Sequence, residues 1–207
     1  MLCPHCGFSC GRKGENMTMA TFKAALKLAE EIGSYTVSLG GGEPTIHPLF
    51  WEMLGLAVVA QLDSVPWLAT NGKKTEIALR LANLAKNGKI FCALSLDNYH
   101  DPISPEVVKA FTRPKDAEYK GANDFREIRT VKHIINAGRA IKTGVATEDK
   151  GCICDDLFVT PDGNLHPCGC AAGLKMNFGT VKKPNLHKYY ITGNCAQNKE
   201  KWEEENG

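Results

Sequence analysis

Between residues 18 and 97 the chain alternates helix-forming and strand-forming stretches joined by short turns, and this alternation restricts the fold more than any other feature. Phe22, Leu26 and Ala29 fall on one stripe and predict a helix over 18–32, stopped by Gly33. Residues 35–39 alternate as a strand does. A second helix is expected over 48–60, with Pro48 in its first turn, where a missing N–H is tolerated. Residues 65–69 read as a short strand running into Thr70, Asn71 and Gly72, a turn signal. An amphipathic helix over 74–87 is closed by Gly88, and residues 89–97 make the clearest strand. Short links between helix and strand point to an α/β fold with a parallel sheet.

Alternate side chains of the 89–97 strand face opposite ways. Ile90, Cys92, Leu94 and Leu96 share an apolar face that should pack on helices, so Cys92 reads as a core residue rather than a ligand. Phe91, Ala93, Ser95 and Asp97 share the other face, which turns polar at its C-terminal end, where α/β sheets and barrels hold their ligands. His100 and Asp101 lie just past that end and are candidates for ligand contact. Residues 104–111 suggest a helix with Ser104 as N-cap and Pro105 at N1, and 113–123 a charged loop. Over 125–136 the spacing of Ile128, Val131 and Ile135 suits a helix, and a strand within the segment is the alternative; periodicity does not separate the two. A boundary over 144–151 leads into a loop-rich segment, with a small hairpin over 156–165 around Pro161, Asp162, Gly163 and Asn164. Trp51 and Trp67 are expected in the core. His47, His133 and His187 are read as surface or capping residues, and 199–205 as a solvated tail.

A chain of 207 residues, 43% hydrophobic and 23% charged, can bury a core without help from metal. Its net charge of +2 makes no case for a nucleic-acid or anionic-membrane partner. There is no apolar run of spanning length and no basic-then-apolar signal segment, so a cytoplasmic location is expected. In that compartment the 9 cysteines are poor disulfide candidates, and the odd count agrees. Cys3, Cys6 and Cys10 crowd one short glycine-containing loop. Clustered thiolates are soft ligands that select zinc, copper(I) or iron–sulfur clusters. Cys152 and Cys154 pair with Cys168 and Cys170 across the predicted hairpin, a common way to close a four-ligand site, and Cys195 is a fifth candidate. Two metal centres are therefore expected.

The run 40–44, Gly-Gly-Gly-Glu-Pro, lies between a predicted strand and a predicted helix. Its glycines let a ligand approach the backbone closely, and Glu43 offers a carboxylate to an ammonium group. In isolation the same run serves equally well as a tight strand–helix turn.

Taken with the upstream thiols, the run carries a resemblance to the radical S-adenosylmethionine (SAM) superfamily, marked by C-x3-C-x2-C and, one helix and one strand later, GGEP. Cys3 and Cys6 match the second and third cysteines of that mark, and His5 takes the usual aromatic place before the third. Gly41, Gly42, Glu43 and Pro44 match GGEP. Thr70, Asn71 and Gly72 resemble the TNG at the end of the next strand, and 95–101 resembles the following strand end, near SAM. The resemblance covers roughly residues 1–101. It implies a partial (β/α)6 TIM-like barrel over 1–148, lacking the first strand, with a small Cys-rich module over 149–207. It also implies a [4Fe–4S] cluster that cleaves SAM reductively so that hydrogen is abstracted from a substrate, with an electron donor such as flavodoxin or ferredoxin. Cofactor contacts fall by resemblance to His5 (against the adenine), Gly41, Gly42, Glu43, Pro44, Thr70, Asn71, Ser95 and Asp97. The family's first cysteine would lie four residues before Cys3. Met1 is accordingly read as an internal methionine of a longer parent or a misassigned start, with Cys10 as the alternative third ligand.

Phe158 to Cys168, with its Asp162-Gly163 turn and Pro167-Cys168, followed by Phe178, Gly179 and Val181, resembles the SPASM or twitch extension that carries an auxiliary iron–sulfur cluster. Gly138, Arg139 and Ala140 resemble the GRA segment of those proteins. The ligands implied are Cys152, Cys154, Cys168, Cys170 and Cys195, and a peptide or protein is the substrate class implied. The competing readings are a non-enzymatic zinc-binding module and a truncated, inactive SAM-binding homologue.

Overall fold

Parallel strands need a covered crossover between them, and the chain supplies one after each of its first three strands. The computed structural model describes residues 3–8, 10–11, 13–114, 123–131, 134, 138–147, 157–170 and 173–187. Cys152, Cys154, Cys195, His133 and the 199–205 tail lie outside them. The chain divides into two compact units, residues 29–132 and residues 1–28 with 133–207.

In the 29–132 unit, β1 (Ser38–Leu39), β2 (Trp67–Thr70), β3 (Phe91–Ser95) and β4 (Arg126–Arg129) form one four-stranded sheet in sequential order. Every pairing is parallel, with Leu68 opposite Cys92 and Leu94 opposite Ile128. Helices α2 (Phe50–Val59), α3 (Thr75–Lys86) and α4 (Pro105–Phe111) are the crossovers. The core gathers Leu81 and Ala85 of α3, Leu68 of β2, Ile90, Cys92 and Leu94 of the third strand segment, and Val107 and Phe111 of α4. Burial pushes the Cys92 thiol up, with the Glu43 charge adding to it, as befits a packing residue and not a ligand. Gly88, at φ +68°, ends α3 in the left-handed conformation that glycine adopts without strain.

Some sequence expectations are refined. The ambiguous 125–136 segment contains a strand, because its backbone completes the ladder on β3; pairing with a distant edge decides what local spacing leaves open. Arg126 is buried there, its Nε and a terminal nitrogen donating to the two Asp124 carboxylate oxygens at 2.8 and 2.6 Å. Pro48 precedes α2 instead of sitting in its first turn. Ser104 takes the N-cap place of α4, yet its side chain makes no capping bond and reaches Glu106 Oε1 at 3.3 Å. Trp51 and Trp67 are half-buried, each beneath a guanidinium: Arg80 at 4.0 Å and Arg129 at 5.2 Å from the ring centroid.

Helix α1 (Met19–Glu31) begins at Thr18, whose Oγ1 accepts the Thr21 N–H at 3.1 Å, and buries Phe22, Leu26 and Ala29 as its stripe requires. The other unit carries α5 (Arg139–Thr143), closed by Gly144 in the left-handed region. Its expected hairpin is present as β5 (Phe158–Val159) and β6 (Leu165–His166), antiparallel, with Gly163 at φ +86° in the turn. A second antiparallel pair, β7 (Gly179–Thr180) with β8 (Lys183–Pro184), follows. Among the described residues no helix is long and apolar enough to cross a membrane.

Leu81 is wholly buried in the core. Leu81→Ala should lower the unfolding free energy by about 2–5 kcal/mol, read as a reduced urea midpoint with an unchanged slope.

Candidate cofactor site

Because β1, β2 and β3 run parallel, their C-terminal ends open on one edge of the sheet. Three loops leave there: 40–44 after β1, 71–74 after β2 and 96–104 after β3. The sequence placed its polar residues in these loops.

Glu43 joins the first two. Its side chain is 7% exposed, a burial that an unpartnered carboxylate would not tolerate. Oε1 accepts from the hydroxyls of Thr45 at 2.7 Å and Thr70 at 2.8 Å, and from Thr45 N–H at 3.4 Å. Oε2 accepts the Asn71 N–H at 2.8 Å. The carboxylate thus caps the short turn Pro44–Ile46 and fixes the end of β2. Two lone pairs belong to each carboxylate oxygen, so Oε2 retains capacity for one more donor. Beside it, Gly41 adopts φ +110°, and a Cβ added at Gly40 or Gly41 would meet no atom within 4 Å. The glycine run is an exposed strip of backbone next to a fixed carboxylate.

Asn71 is held in turn: its Oδ1 accepts the Lys73 N–H at 2.9 Å, while Thr70 Oγ1 accepts that of Gly72 at 3.2 Å. At the end of β3, the Asp97 side chain is 2% exposed. Its Oδ1 accepts the Tyr99 N–H at 2.8 Å and lies 2.9 Å from His100 Nδ1, whereas Oδ2 has no partner among the described residues. Ser95 is half-buried on the same strand. Asp101 is exposed and engaged by Lys73, whose ammonium hydrogen bond lowers the carboxyl pKa. His47 proves to be a capping residue, its Nδ1 accepting the Leu49 N–H at 3.1 Å.

The other unit holds the thiols. In the N-terminal loop Cys6 N–H donates to the Cys3 carbonyl at 3.2 Å. The Cys10 thiol hydrogen-bonds to the Cys6 sulfur, which draws the Cys6 pKa down to about 5 against the opposing effect of burial. The same bond, then burial, then the Cys6 charge raise that of Cys10. Cys3 is raised by burial and by Cys6, with Arg139 among the groups opposing. Lowering the Cys6 pKa while raising that of Cys10 favours the thiolate at Cys6, the form a soft metal binds.

The loop is anchored from α5. Arg139 N–H donates to the Cys6 carbonyl at 2.8 Å, one of its guanidinium nitrogens to the Cys3 carbonyl at 3.0 Å, and the other to the Cys10 carbonyl. Thr143 Oγ1 donates to the Pro4 carbonyl at 2.8 Å. The sequence singled out Gly138, Arg139 and Ala140 only through the auxiliary extension, and gave no reason to join them to a loop more than 120 residues away. Thr45 and Thr143 were not noticed at all. A threonine just after GGEP was the sole available signal.

Cys168 and Cys170 are buried, with sulfurs 2.8 Å apart. Backbone N–H groups point at both: Cys170 N to Cys168 Sγ at 3.1 Å and Gly173 N to Cys170 Sγ at 3.3 Å. A Cβ at Gly173 would fall 2.9 Å from Cys168 Sγ, so the turn admits only glycine there. Backbone amides converging on paired sulfurs are the setting in which thiolates carry iron–sulfur or zinc centres.

The 29–132 unit is thus a parallel α/β sheet with polar loops at its C-terminal edge, and the other unit carries a loop of three thiols. No family model matches the chain. Mycofactocin maturase MftC of Mycobacterium tuberculosis (strain CDC 1551 / Oshkosh) is 35% identical over 86 residues, 40% of this chain and 21% of that protein. MftC of Mycolicibacterium smegmatis is 26% identical over 141 residues, 67% of this chain and 32% of that protein. The matches span about a fifth to a third of these relatives. Among solved structures, BtrN in complex with AdoMet and 2-DOIA aligns with a TM-score of 0.65 at 16% identity, covering 97% of this chain and 80% of BtrN. Native anSMEcpe with bound AdoMet aligns at 0.55 and 15% identity, covering 95% and 78%. The chain thus shares local sequence with the MftC proteins and its fold with BtrN and anSMEcpe.

Two measurements check this geometry. Thr70→Val removes a hydroxyl from a buried carboxylate and should cost about 1.5–3 kcal/mol of stability, with Thr70→Ser costing less. In the metal-free chain, iodoacetamide should label Cys6 at pH 6, where a thiol of ordinary pKa, about 8.5, is nearly all protonated. Labelling confined to pH above 8 would contradict the Cys6–Cys10 bond.

Proposed function

We propose that this protein is a radical SAM enzyme in which Cys3 and Cys6, with Cys10 as the third thiolate within reach, hold a [4Fe–4S] cluster. The donor set fits: soft sulfurs crowded in one loop, carbonyls turned away to Arg139 and Thr143, and a cationic side chain next to what would be an anionic metal–thiolate group. Bound together, such a cluster and SAM supply reductive cleavage of a sulfonium C–S bond and hydrogen abstraction from a substrate.

The chain's own residues bind and orient. Glu43 Oε2 accepts the ammonium of the methionyl group, and the exposed backbone at Gly40, Gly41 and Gly42, followed by Pro44, takes its carboxylate side. Thr70 and Asn71 keep the Glu43 oxygens in place. Asp97 Oδ2 and Ser95 receive hydroxyl donors of the nucleoside, and His5 stacks on the adenine. Cys168 and Cys170, joined by Cys152, Cys154 and Cys195, ligate an auxiliary iron–sulfur cluster in the module over 149–207. The reading is carried by one observation: a buried GGEP carboxylate already fixed by four hydrogen bonds, with one acceptor position open beside an unobstructed glycine strip.

A peptide or protein is the proposed substrate class. It draws on the SPASM-like hairpin and on the Kp18Cys peptide held by anSMEcpe. The fold itself does not decide substrate, since BtrN binds 2-DOIA. A flavodoxin or ferredoxin as electron donor and a cytoplasmic location belong to the same proposal.

After anaerobic loading with iron and sulfide the protein should be brown, and with dithionite and SAM it should release 5′-deoxyadenosine. Cys6→Ala should lose the N-terminal cluster's iron. Glu43→Ala should keep its iron and lose about 10- to 100-fold in SAM cleavage, the range of one charge-assisted hydrogen bond. A colourless protein that takes only zinc and does not bind SAM would refute the assignment.

A further inference from the structure

The segment 138–143 bears on the thiol loop in a manner that the metal ligands alone do not require. A Cβ at Gly138, which holds φ +58°, would come within 2.5 Å of Gly7 C and 2.7 Å of Cys6 O. Only glycine lets α5 begin this close to the loop. From that start, Arg139 spans it: its backbone N–H takes the middle carbonyl, and the two ends of its planar guanidinium take the carbonyls of Cys3 and Cys10. Thr143, one turn on, takes that of Pro4. Four carbonyls of one short loop are therefore bonded by a single short segment. Apart from that of Cys3, which also accepts the Cys6 N–H, each would otherwise be free to turn inward, where it would compete with the sulfurs or swing a thiol out of the cluster.

The guanidinium is suited to this task and an ammonium is not. Its fork is rigid, permanently charged and reaches two acceptors at a fixed separation. Its charge is also held at the thiol loop itself, between the Cys3 and Cys10 carbonyls. We propose that Arg139, seated by Gly138 and assisted by Thr143, is a positioning residue that holds the thiol loop in its metal-ligating shape. The proposal rests on the metal-binding reading of that loop, not on the identity of the substrate or on SAM cleavage.

The test compares the full chain with Arg139→Gln, Arg139→Lys and Thr143→Val. Peptide-resolved amide hydrogen exchange over the thiol loop, without metal, should be at least about tenfold faster in Arg139→Gln and in Arg139→Lys, and intermediate in Thr143→Val. Circular dichroism and exchange over β2 and β3 should be unchanged. In iron-loaded protein titrated with dithionite, Arg139→Gln should lower the one-electron midpoint by a tenfold change in the reduction equilibrium, ~59 mV. Arg139→Lys and Thr143→Val should leave it near the wild-type value, because the nearby charge persists. Loop exchange at the wild-type rate in Arg139→Gln overturns the proposal. So does a midpoint equally lowered in Thr143→Val, since loosening of the loop alone would then explain both effects. If the wild-type chain takes up no iron, the cluster assignment fails by itself. Zinc-dependent protection of the same loop peptide then decides the positioning role, with Arg139→Gln expected to need about ten times more zinc and equal zinc demand refuting it.

Discussion

A buried carboxylate is the constraint on which the ligand edge of the sheet depends. Left without donors, a buried Glu43 would cost several kcal/mol; with Thr45, Thr70 and Asn71 around it, it becomes the post that fixes two successive strand ends. This is possible only because β1 and β2 are parallel and adjacent, so that the loop leaving one lies beside the residue ending the other. The sheet is thus more than a support. Its direction makes the meeting of residue 43 with residues 70 and 71 unavoidable once the strands pair.

The thiol loop solves a different problem. Sulfurs close enough to share one metal repel each other as thiolates, and here the Cys6 pKa is drawn down while that of Cys10 is raised, so that one thiolate stands beside a thiol. Carbonyls from the same loop are occupied by Arg139 and Thr143, so backbone and sulfur do not compete for one centre. The Cys168–Cys170 turn reaches a comparable state by other means, with amide N–H groups directed at the sulfurs and Gly173 packed against them.

Much of this was legible in advance. The apolar stripe of α1, the left-handed stop at Gly88 and the burial of Cys92 follow from local periodicity and from the conformational limits of single residues, and those limits do not depend on what lies elsewhere. The GGEP and TNG motifs could be recognised as ligand loops because each sits at a strand end. Their mutual bond could not, since nothing in either motif states which oxygen meets which hydroxyl. Residues 125–136 stayed undecided for a related reason: a strand there exists by virtue of a neighbour more than 30 residues earlier. Arg139 was noticed only as part of a GRA-like segment, and its bonds to the cysteine-loop carbonyls could not be read from that.

By itself, then, the sequence determined the element types, the parallel α/β class and the two groups of thiols. These are matters of period, residue chemistry and short-range spacing, which the chain carries wherever it lies. Tertiary structure alone decided the partners of each buried polar group: Thr70 and Asn71 for Glu43, Asp124 for Arg126, and the cysteine-loop carbonyls for Arg139. A hydrogen bond depends on two groups meeting within about 3 Å, and only the folded chain sets that distance.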